Sequence, residues 1–304
     1  MDAVAPFTDP DVTATGETRA SVDFRGLETL WLNSGTLCNL ACARCYIESS
    51  PTNDRLVYLK LSDVERVLAE VEETGQPLTE IGITGGEPFM NPQIDAILAA
   101  CLATGADVLV LTNAMTPMRH HCDALLAMQS DRLTLRVSLD HYDAALHEEE
   151  RGPRSFQPAI DGLKWLSANG FDIAVAGRTL WNKDEAEMRA GYAALFAREG
   201  IAIDAADPEA LVLFPEMDDA TAVPEITTAC WQILGKNPAD LMCASQRMLV
   251  RRKGAKDASF AACTLLPYDP RFDSGSSLSG ASRPTRLNHR WCAQFCVLGG
   301  GSCG

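Results

Sequence analysis

The chain has few basic side chains relative to acidic ones. Its 304 residues include 26 Lys and Arg against 41 Asp and Glu, which gives a net charge of −15 at pH 7. Proteins bind nucleic-acid backbones through clustered cationic side chains, so we expect no nucleic acid among its partners. No apolar run approaches the roughly 18 residues that span a bilayer, and we expect no membrane partner.

The N-terminus lacks the basic start and apolar middle of a secretory signal. We therefore expect a cytoplasmic protein, in a reducing compartment where disulfides are rare. The sequence contains 11 cysteines, and in such a compartment metal binding explains clustered cysteines better than disulfides do. The sequence thus directs attention to the spacing of its cysteines.

Three cysteines, Cys38, Cys42 and Cys45, have the spacing C-x3-C-x2-C. A loop this short can wrap one soft metal centre. A [4Fe–4S] cluster normally takes four protein thiolates, so three leave one iron open to a small molecule. The alternatives are a zinc knuckle or a chance grouping of buried thiols, although a closed zinc site requires a fourth Cys or His close by.

A glycine-rich turn follows the cysteine motif after a predicted strand, in the run Thr84-Gly85-Gly86-Glu87-Pro88. The two motifs in this order resemble the signature of the radical S-adenosylmethionine (radical SAM) superfamily. The resemblance implies that SAM chelates the open iron of the cluster through its amino and carboxylate groups. It further implies that the turn from Gly85 through Glu87 to Pro88 holds the SAM ammonium.

The resemblance also implies further contacts with SAM. Many members carry an aromatic residue directly before the third cysteine, whereas this chain has Arg44 there and Tyr46 after it. Polar groups at strand ends would bind the ribose and methionine parts, and a guanidinium fork suits the SAM carboxylate. Helix capping and a solvent-facing charge run are the alternatives for these residues. The candidates are Tyr46, Thr112, Asn113, Ser138, Asp140 and Arg151.

Strand-like and helix-like segments alternate in the middle of the chain, which predicts an α/β fold with a parallel sheet. The predicted strands are Glu28–Asn33, Glu80–Thr84, Asp107–Thr112, Arg132–Leu139, Phe171–Gly177 and Ala210–Phe214. The pattern does not decide between an open and a curled sheet. The resemblance implies a partial (β/α)6 TIM-like barrel over residues 27–220, with active residues at the C-terminal strand ends. Residues 1–26 are predicted to form a flexible arm.

Residues 221–304 are predicted to form a small C-terminal cysteine-rich, cluster-binding extension. A cysteine, a hairpin and a second cysteine, followed by further cysteines, resemble the SPASM/twitch extension of radical SAM enzymes, which implies an auxiliary [4Fe–4S] cluster. The tail spacing departs from the usual pattern, and the cysteines are too few for two auxiliary clusters. Structural zinc is the alternative. The candidate ligands are Cys243, Cys263, Cys292, Cys296 and Cys303.

The function implied by the resemblance is radical chemistry. A reduced [4Fe–4S] cluster would cleave SAM to a 5′-deoxyadenosyl radical, which abstracts hydrogen from a small-molecule or peptide substrate. A reducing electron donor such as flavodoxin or ferredoxin would be required. The alternatives from other classes are a non-catalytic iron–sulfur electron carrier and a zinc-stabilised scaffold. SAM binding distinguishes the enzyme from the carrier.

Overall fold

A computed structural model describes residues 5–181, 183–215 and 221–300. The strands are β1 (Ser21–Val22), β2 (Thr29–Asn33), β3 (Glu80–Thr84), β4 (Asp107–Thr112), β5 (Leu133–Ser138), β6 (Asp172–Arg178), β7 (Leu211–Phe214), β8 (Gln246–Val250), β9 (Ser259–Ala261) and β10 (Thr285–Arg286).

The α-helices are α1 (Leu61–Glu73), α2 (Ile94–Ala103), α3 (Thr116–Arg119), α4 (Cys122–Met128), α5 (Ala144–Arg151), α6 (Phe156–Ala168), α7 (Glu185–Glu199), α8 (Cys230–Leu234) and α9 (Leu278–Ala281). A π-helix spans Cys292–Leu298. None of the described helices combines the length and the apolar character that crossing a bilayer requires.

The central sheet has eight strands in the order β7-β6-β5-β4-β3-β2-β8-β9. Strands β2 to β7 pair in parallel in sequence order, and the helices that connect them include α1, α2, α6 and α7. Each of the six predicted strands therefore exists, within two residues of its predicted ends. A parallel sheet needs a crossover after every strand, and the alternating pattern of the sequence supplies these crossovers.

The sheet curls around a central cavity. Residues from β3, β4, β5, β6 and β7 all line a cavity of about 220 Å³. In a flat sheet five adjacent strands would spread over about 19 Å, too far apart to border one small cavity together. The prediction of an α/β, TIM-like partial barrel is thus confirmed, and the cavity lies at the carboxyl ends of the strands.

The C-terminal region continues this sheet. β8 pairs in parallel with β2, and β9 returns antiparallel to β8 as the predicted hairpin. The predicted boundary between residues 220 and 221 follows residues 216–220, which lie outside the described part of the chain. The predicted core and extension therefore share one sheet, and they meet beside the strand that precedes Cys38.

The described part of the N-terminal arm, residues 5–26, contacts the C-terminal region, and the flexibility of the arm stays a prediction. β1 pairs with β10, and Ala20 and Val22 are buried. The Arg19 guanidinium is also buried and pairs with Glu225 (2.5 Å). The polar composition of the arm suggested flexibility, but its few apolar residues bury against a distant segment that local pattern does not reveal.

Candidate functional site

The three predicted cluster cysteines lie on the loop after β2 and face the central cavity. Cys38 is buried, whereas Cys42 and Cys45 are half-buried, and all three line the cavity. The loop is held in place because the Ala43 N–H donates a hydrogen bond to the Glu150 carbonyl oxygen (2.8 Å). The C-x3-C-x2-C spacing therefore brings three soft donors to one wall.

The glycine-rich turn after β3 packs directly against the cysteine loop. A Cβ on Gly85 would lie 2.5 Å from Gly35 O, and one on Gly86 would lie 2.2 Å from Leu37 O. The Gly86 N–H donates to Gly35 O (2.8 Å). Gly85 also has φ +133°, a conformation that side chains disfavour. Both glycines are needed for the two loops to meet, and both line the cavity.

Glu87 is a buried carboxylate behind the cavity wall, 1% exposed. Its oxygens accept hydrogen bonds from Thr112 Oγ1 (2.8 Å), Asn113 N (2.8 Å) and Phe89 N (3.2 Å). Burial raises the pKa of the carboxyl to about 7, and these donors act in the opposite direction. Neither Glu87 nor the buried Pro88 is among the described lining residues. Direct contact of Glu87 with SAM stays a prediction, whereas its role in positioning Thr112 and Asn113 is visible.

The other six predicted SAM contacts all line the cavity, namely Tyr46, Thr112, Asn113, Ser138, Asp140 and Arg151. Asn113 makes two further contacts with its side chain. Its Nδ2 donates to Asn39 Oδ1 (2.9 Å), on the cysteine loop, and its Oδ1 accepts from Met115 N (3.0 Å). It therefore shapes the local turn and also ties β4 to the cysteine loop.

Asp140 and Arg151 form a bidentate ion pair on the cavity wall. Arg151 Nε donates to Asp140 Oδ2 (2.7 Å), and Nη2 donates to Oδ1 (3.1 Å). Burial alone would lower the pKa of Arg151, but the adjacent Asp140 carboxylate raises it above its ordinary value. The sequence suggested that Asp140 and Arg151 make separate contacts. The structure shows them as one ion pair, in which Asp140 fixes the orientation of the Arg151 guanidinium.

Sequence reasoning missed a buried network centred on Glu150, whose side chain is 1% exposed. Its Oε1 accepts from Arg44 N (2.7 Å) and Arg178 Nη1 (2.8 Å), and its Oε2 accepts from Arg44 Nη1 (2.9 Å). The network joins the cysteine loop, α5 and β6. The available signal was helical spacing, because His147, Glu150 and Arg151 lie on one face of α5.

One polar side chain beside the cysteines has no hydrogen-bond partner among the described residues. Ser49 Oγ is buried and unpaired, and Ser49 lines the cavity, where its N–H donates to Cys45 Sγ (3.3 Å). An unsatisfied buried hydroxyl costs roughly 1–3 kcal/mol, so this one points to an acceptor inside the cavity. Burial raises the pKa of the Cys38 thiol to about 12, and iron binding would displace that proton. These residues fit a [4Fe–4S] cluster.

His147 lies behind the Asp140–Arg151 pair and is fully buried. Neither ring nitrogen has a hydrogen-bond partner in the part of the chain that the structure describes. Burial, together with the nearby Arg151 charge, lowers the pKa of His147 from 6.5 to about 4. The imidazole is therefore neutral at pH 7 and packs its ring against Phe156 (5.5 Å between centroids).

This burial predicts a loss of stability in mild acid. In the unfolded chain His147 becomes protonated below pH 6.5, whereas in the folded chain it becomes protonated only below about pH 4. The free energy of unfolding should therefore fall by about 2 kcal/mol between pH 7 and pH 5 from this residue alone.

The thermal midpoint of the iron-loaded protein, measured without oxygen at both pH values, tests this prediction. We expect His147→Leu to lose roughly 3–6 °C less than the unchanged protein does over this interval. His120→Leu alters an exposed histidine and serves as the matched control. Equal losses in the two variants would contradict the prediction.

Four of the five predicted auxiliary-cluster cysteines surround a second cavity in the C-terminal region. Cys243 lies in the 3-10 turn Met242–Ala244, Cys263 follows β9, and Cys292 and Cys296 lie on the π-helix. Burial raises the pKa of Cys243 to about 11 and that of Cys292 to about 12. Cys303 lies outside the described residues. Four thiols from three separate segments thus face one enclosed space.

Neither group of cysteines converges on a single point. Across residues 5–181, 183–215 and 221–300, no three His, Cys, Asp or Glu side chains are placed to hold one metal ion together. A zinc ion requires its donors within about 2.0–2.3 Å, whereas each thiolate of an iron–sulfur cluster binds a different iron.

Comparison with protein families identifies the N-terminal part of the chain. The family model described as "Radical SAM superfamily" matches residues 32–191, just over half of the chain, and the matched range contains both motifs. Among curated proteins, the chain is 34% identical over 140 residues to the antilisterial bacteriocin subtilosin biosynthesis protein AlbA of Bacillus subtilis, covering 46% of this chain and 30% of AlbA. It is 28% identical over 163 residues to the mycofactocin maturase MftC of Mycolicibacterium smegmatis, covering 54% of this chain and 40% of MftC.

The fold is similar to that of SuiB from Streptococcus suis. The SuiB structure bound to S-adenosylmethionine matches with a TM-score of 0.59 at 16% identity, over 83% of this chain and 63% of SuiB. The structure bound to the precursor peptide SuiA matches with a TM-score of 0.52 at 21% identity, over 64% of this chain and 40% of SuiB. Since residues 1–220 are under three quarters of the chain, the 83% match includes part of the cysteine-rich region.

The matches cover 30% of AlbA and 40% of MftC, so the chain spans less than half the length of these curated relatives. The family match confirms the resemblance predicted from the cysteine and glycine motifs. It also confirms the predicted cofactors of the N-terminal site, a [4Fe–4S] cluster and SAM, and the residues of the central cavity fit them. This chain belongs to the radical SAM superfamily of enzymes.

Proposed function

We propose that this protein uses a three-cysteine [4Fe–4S] cluster to cleave SAM reductively and to start radical chemistry on a peptide. Cys38, Cys42 and Cys45 would hold the cluster, which would supply the electron that splits SAM into methionine and a 5′-deoxyadenosyl radical. A reduced flavodoxin or ferredoxin in the cytoplasm would supply that electron. The radical then removes a hydrogen atom from the substrate.

One observation carries this proposal. Among the described residues that line the central cavity, the cysteines are Cys38, Cys42 and Cys45, and a [4Fe–4S] cluster has four irons to ligate. Three thiolates would therefore leave one iron without a protein ligand, in a cavity where polar groups at the strand ends are already positioned. A purely structural or electron-carrying cluster would not need an open iron beside such groups.

Different residues of the central cavity would bind different parts of SAM. The turn at Gly85 and Gly86 brings backbone groups close to the cysteine loop, where they would bind the SAM ammonium. Asp140 holds the Arg151 guanidinium by its Nε–Nη2 edge, and the remaining N–H groups of Arg151 would bind the SAM carboxylate. Tyr46 contributes an aromatic ring beside Cys45. Because this wall is buried, it would keep water away from the radical. The cofactor carries the chemistry, and the protein excludes competing reactions.

The C-terminal cysteines would hold an auxiliary [4Fe–4S] cluster with no open iron. Cys243, Cys263, Cys292 and Cys296 line one cavity, and four thiolates satisfy four irons. The cavity adjoins the central one, because Leu265 lines both. An auxiliary cluster here is therefore placed to bind the substrate or to accept an electron from a product radical.

The shape and charge of the barrel favour a peptide over a phosphorylated small molecule. A third cavity, of about 850 Å³, lies at the amino ends of β3 to β7. It shares Phe214 and Pro215 with the central cavity. Its described charged residues are five carboxylates and one guanidinium, namely Glu80, Asp107, Asp172, Asp207, Glu209 and Arg136. The carboxylates of this third cavity repel anionic phosphates, and its volume leaves room for an extended peptide segment. The names of AlbA and MftC, and the SuiB complex with its precursor peptide, support the same substrate class.

The proposal is tested by SAM cleavage. Protein reconstituted with iron and sulfide without oxygen, then reduced, should release 5′-deoxyadenosine and methionine in equal amounts, even without substrate. Omission of the reductant is the control and should stop the release. Intact SAM in the presence of a fully loaded, reduced cluster would contradict the proposal and favour an electron carrier. Zinc in place of iron would favour a scaffold.

Glu87→Gln should weaken SAM binding by more than about tenfold while the iron content stays unchanged. The glutamine amide cannot accept hydrogen bonds from all three donors. The substitution also removes a negative charge near the SAM ammonium. A charge-assisted hydrogen bond contributes roughly 1.5–3 kcal/mol. Calorimetric titration of the reconstituted protein with SAM measures the effect. Glu65→Gln, on the exposed face of α1, is the matched control. Equal affinities in the two variants would refute the role of Glu87.

A further inference from the structure

Arg247 on β8 is a buried charged side chain, with 1% of its surface exposed. Its guanidinium donates to the carbonyl oxygens of Ala281 (2.7 Å), Cys243 (2.7 Å), Gln246 (2.7 Å) and Arg283 (3.2 Å). These bonds use four of its five N–H groups and fix the plane of the side chain. They do not neutralise its charge.

No carboxylate compensates this charge in the described part of the chain. The ionisable groups that act on Arg247 are the thiols of Cys243 and Cys263, and Arg247 lines the same cavity as these cysteines. Its other face lies over the Phe24 ring, 4.2 Å from the centroid. Burial lowers the pKa of Arg247 to about 10, and the thiols would raise it if they were ionised. An isolated buried cation is costly unless an anion lies beside it.

We propose that Arg247 is the counter-charge of the auxiliary cluster and raises its reduction potential. This inference rests on the proposed function, because it requires a cluster at Cys243, Cys263, Cys292 and Cys296. A cluster held by four thiolates is an anion, and its negative charge grows by one on reduction. A fixed cation nearby stabilises the reduced state more than the oxidised state. Arg247 therefore makes the cluster a better electron acceptor.

The test uses a background in which Cys38, Cys42 and Cys45 are all alanine, so that the auxiliary cluster is the one remaining. In this background Arg247→Met removes the charge, and Arg247→Lys keeps the charge while losing most of the hydrogen bonds. Arg283→Met alters an exposed arginine and is the matched control. Iron content and a redox titration followed by EPR are measured for each protein.

At the potential where the background protein is half reduced, the Arg247→Met variant should have at least about a tenfold smaller ratio of reduced to oxidised cluster. At the same potential, the cluster of the Lys variant and that of the Arg283→Met control should stay about half reduced. An unchanged potential in the Met variant, or equal shifts in the Met and Lys variants, would overturn the inference. If the Met variant binds no iron, the Lys variant decides: a full iron load supports the counter-charge, and loss of iron overturns it. Absence of iron from the background protein itself would instead refute the auxiliary cluster.

Discussion

Replacement of Cys38, Cys42 and Cys45 together by alanine is expected to abolish SAM cleavage and to leave about four irons per chain. The cleavage requires an iron with a free coordination site, and these thiols are the described cysteines of the central cavity. The auxiliary cysteines lie in a separate cavity and keep their own cluster. Iron analysis and 5′-deoxyadenosine release after reduction measure both expectations.

Cys122→Ala is the control for this triple variant. Cys122 begins α4 and is half-buried, and it does not line the central cavity as described. Its replacement should leave SAM cleavage and iron content near those of the unchanged protein. Release of 5′-deoxyadenosine by the triple variant would remove the basis for assigning the SAM-binding cluster to these cysteines.

Replacement of Cys263 and Cys292 by alanine is expected to have the second large effect. The iron content should fall from about eight to about four per chain, while SAM binding persists because the central cavity is untouched. Metal binding that joins separate segments contributes to folding free energy. The described tail after β9 should therefore become more sensitive to trypsin, with cleavage at exposed sites such as Arg271 and Arg286.

Cys230→Ala provides the matched control in the same region. Its thiol contacts the Thr227 N–H (3.4 Å) and lies outside the lining of the second cavity as described. This variant should retain about eight irons and normal resistance to trypsin. A Cys263/Cys292 variant with unchanged iron content and unchanged digestion would show that these cysteines do not hold a cluster.

The features that the sequence predicted are those set by local pattern. Alternating residues such as Leu133, Leu135 and Val137 form the predicted strand β5, and the glycine motif forms the turn that meets the cysteine loop. Short spacings also placed three cysteines on one wall and Cys292 beside Cys296. In each case neighbours along the chain determine the geometry, so the sequence is sufficient.

The features that the sequence did not reveal depend on pairs that are distant along the chain. Nothing near Glu150 shows that its carboxylate meets Arg44 and Arg178, because more than a hundred residues separate it from the cysteine loop. The pairing of β1 with β10 and the burial of Arg247 beside four cysteines have the same origin. Such contacts exist only after the sheet has assembled, and helical spacing on α5 could mark Glu150 as inward-facing without naming its partners.

The account depends most on the presence of two clusters with different coordination. EPR of the reduced protein, with and without SAM, tests this most directly. We expect two overlapping [4Fe–4S] signals. SAM should change the signal that disappears in the Cys38/Cys42/Cys45 variant, because that cluster has an open iron, and should leave the other unaltered. A single signal, or two signals that both ignore SAM, would contradict the account.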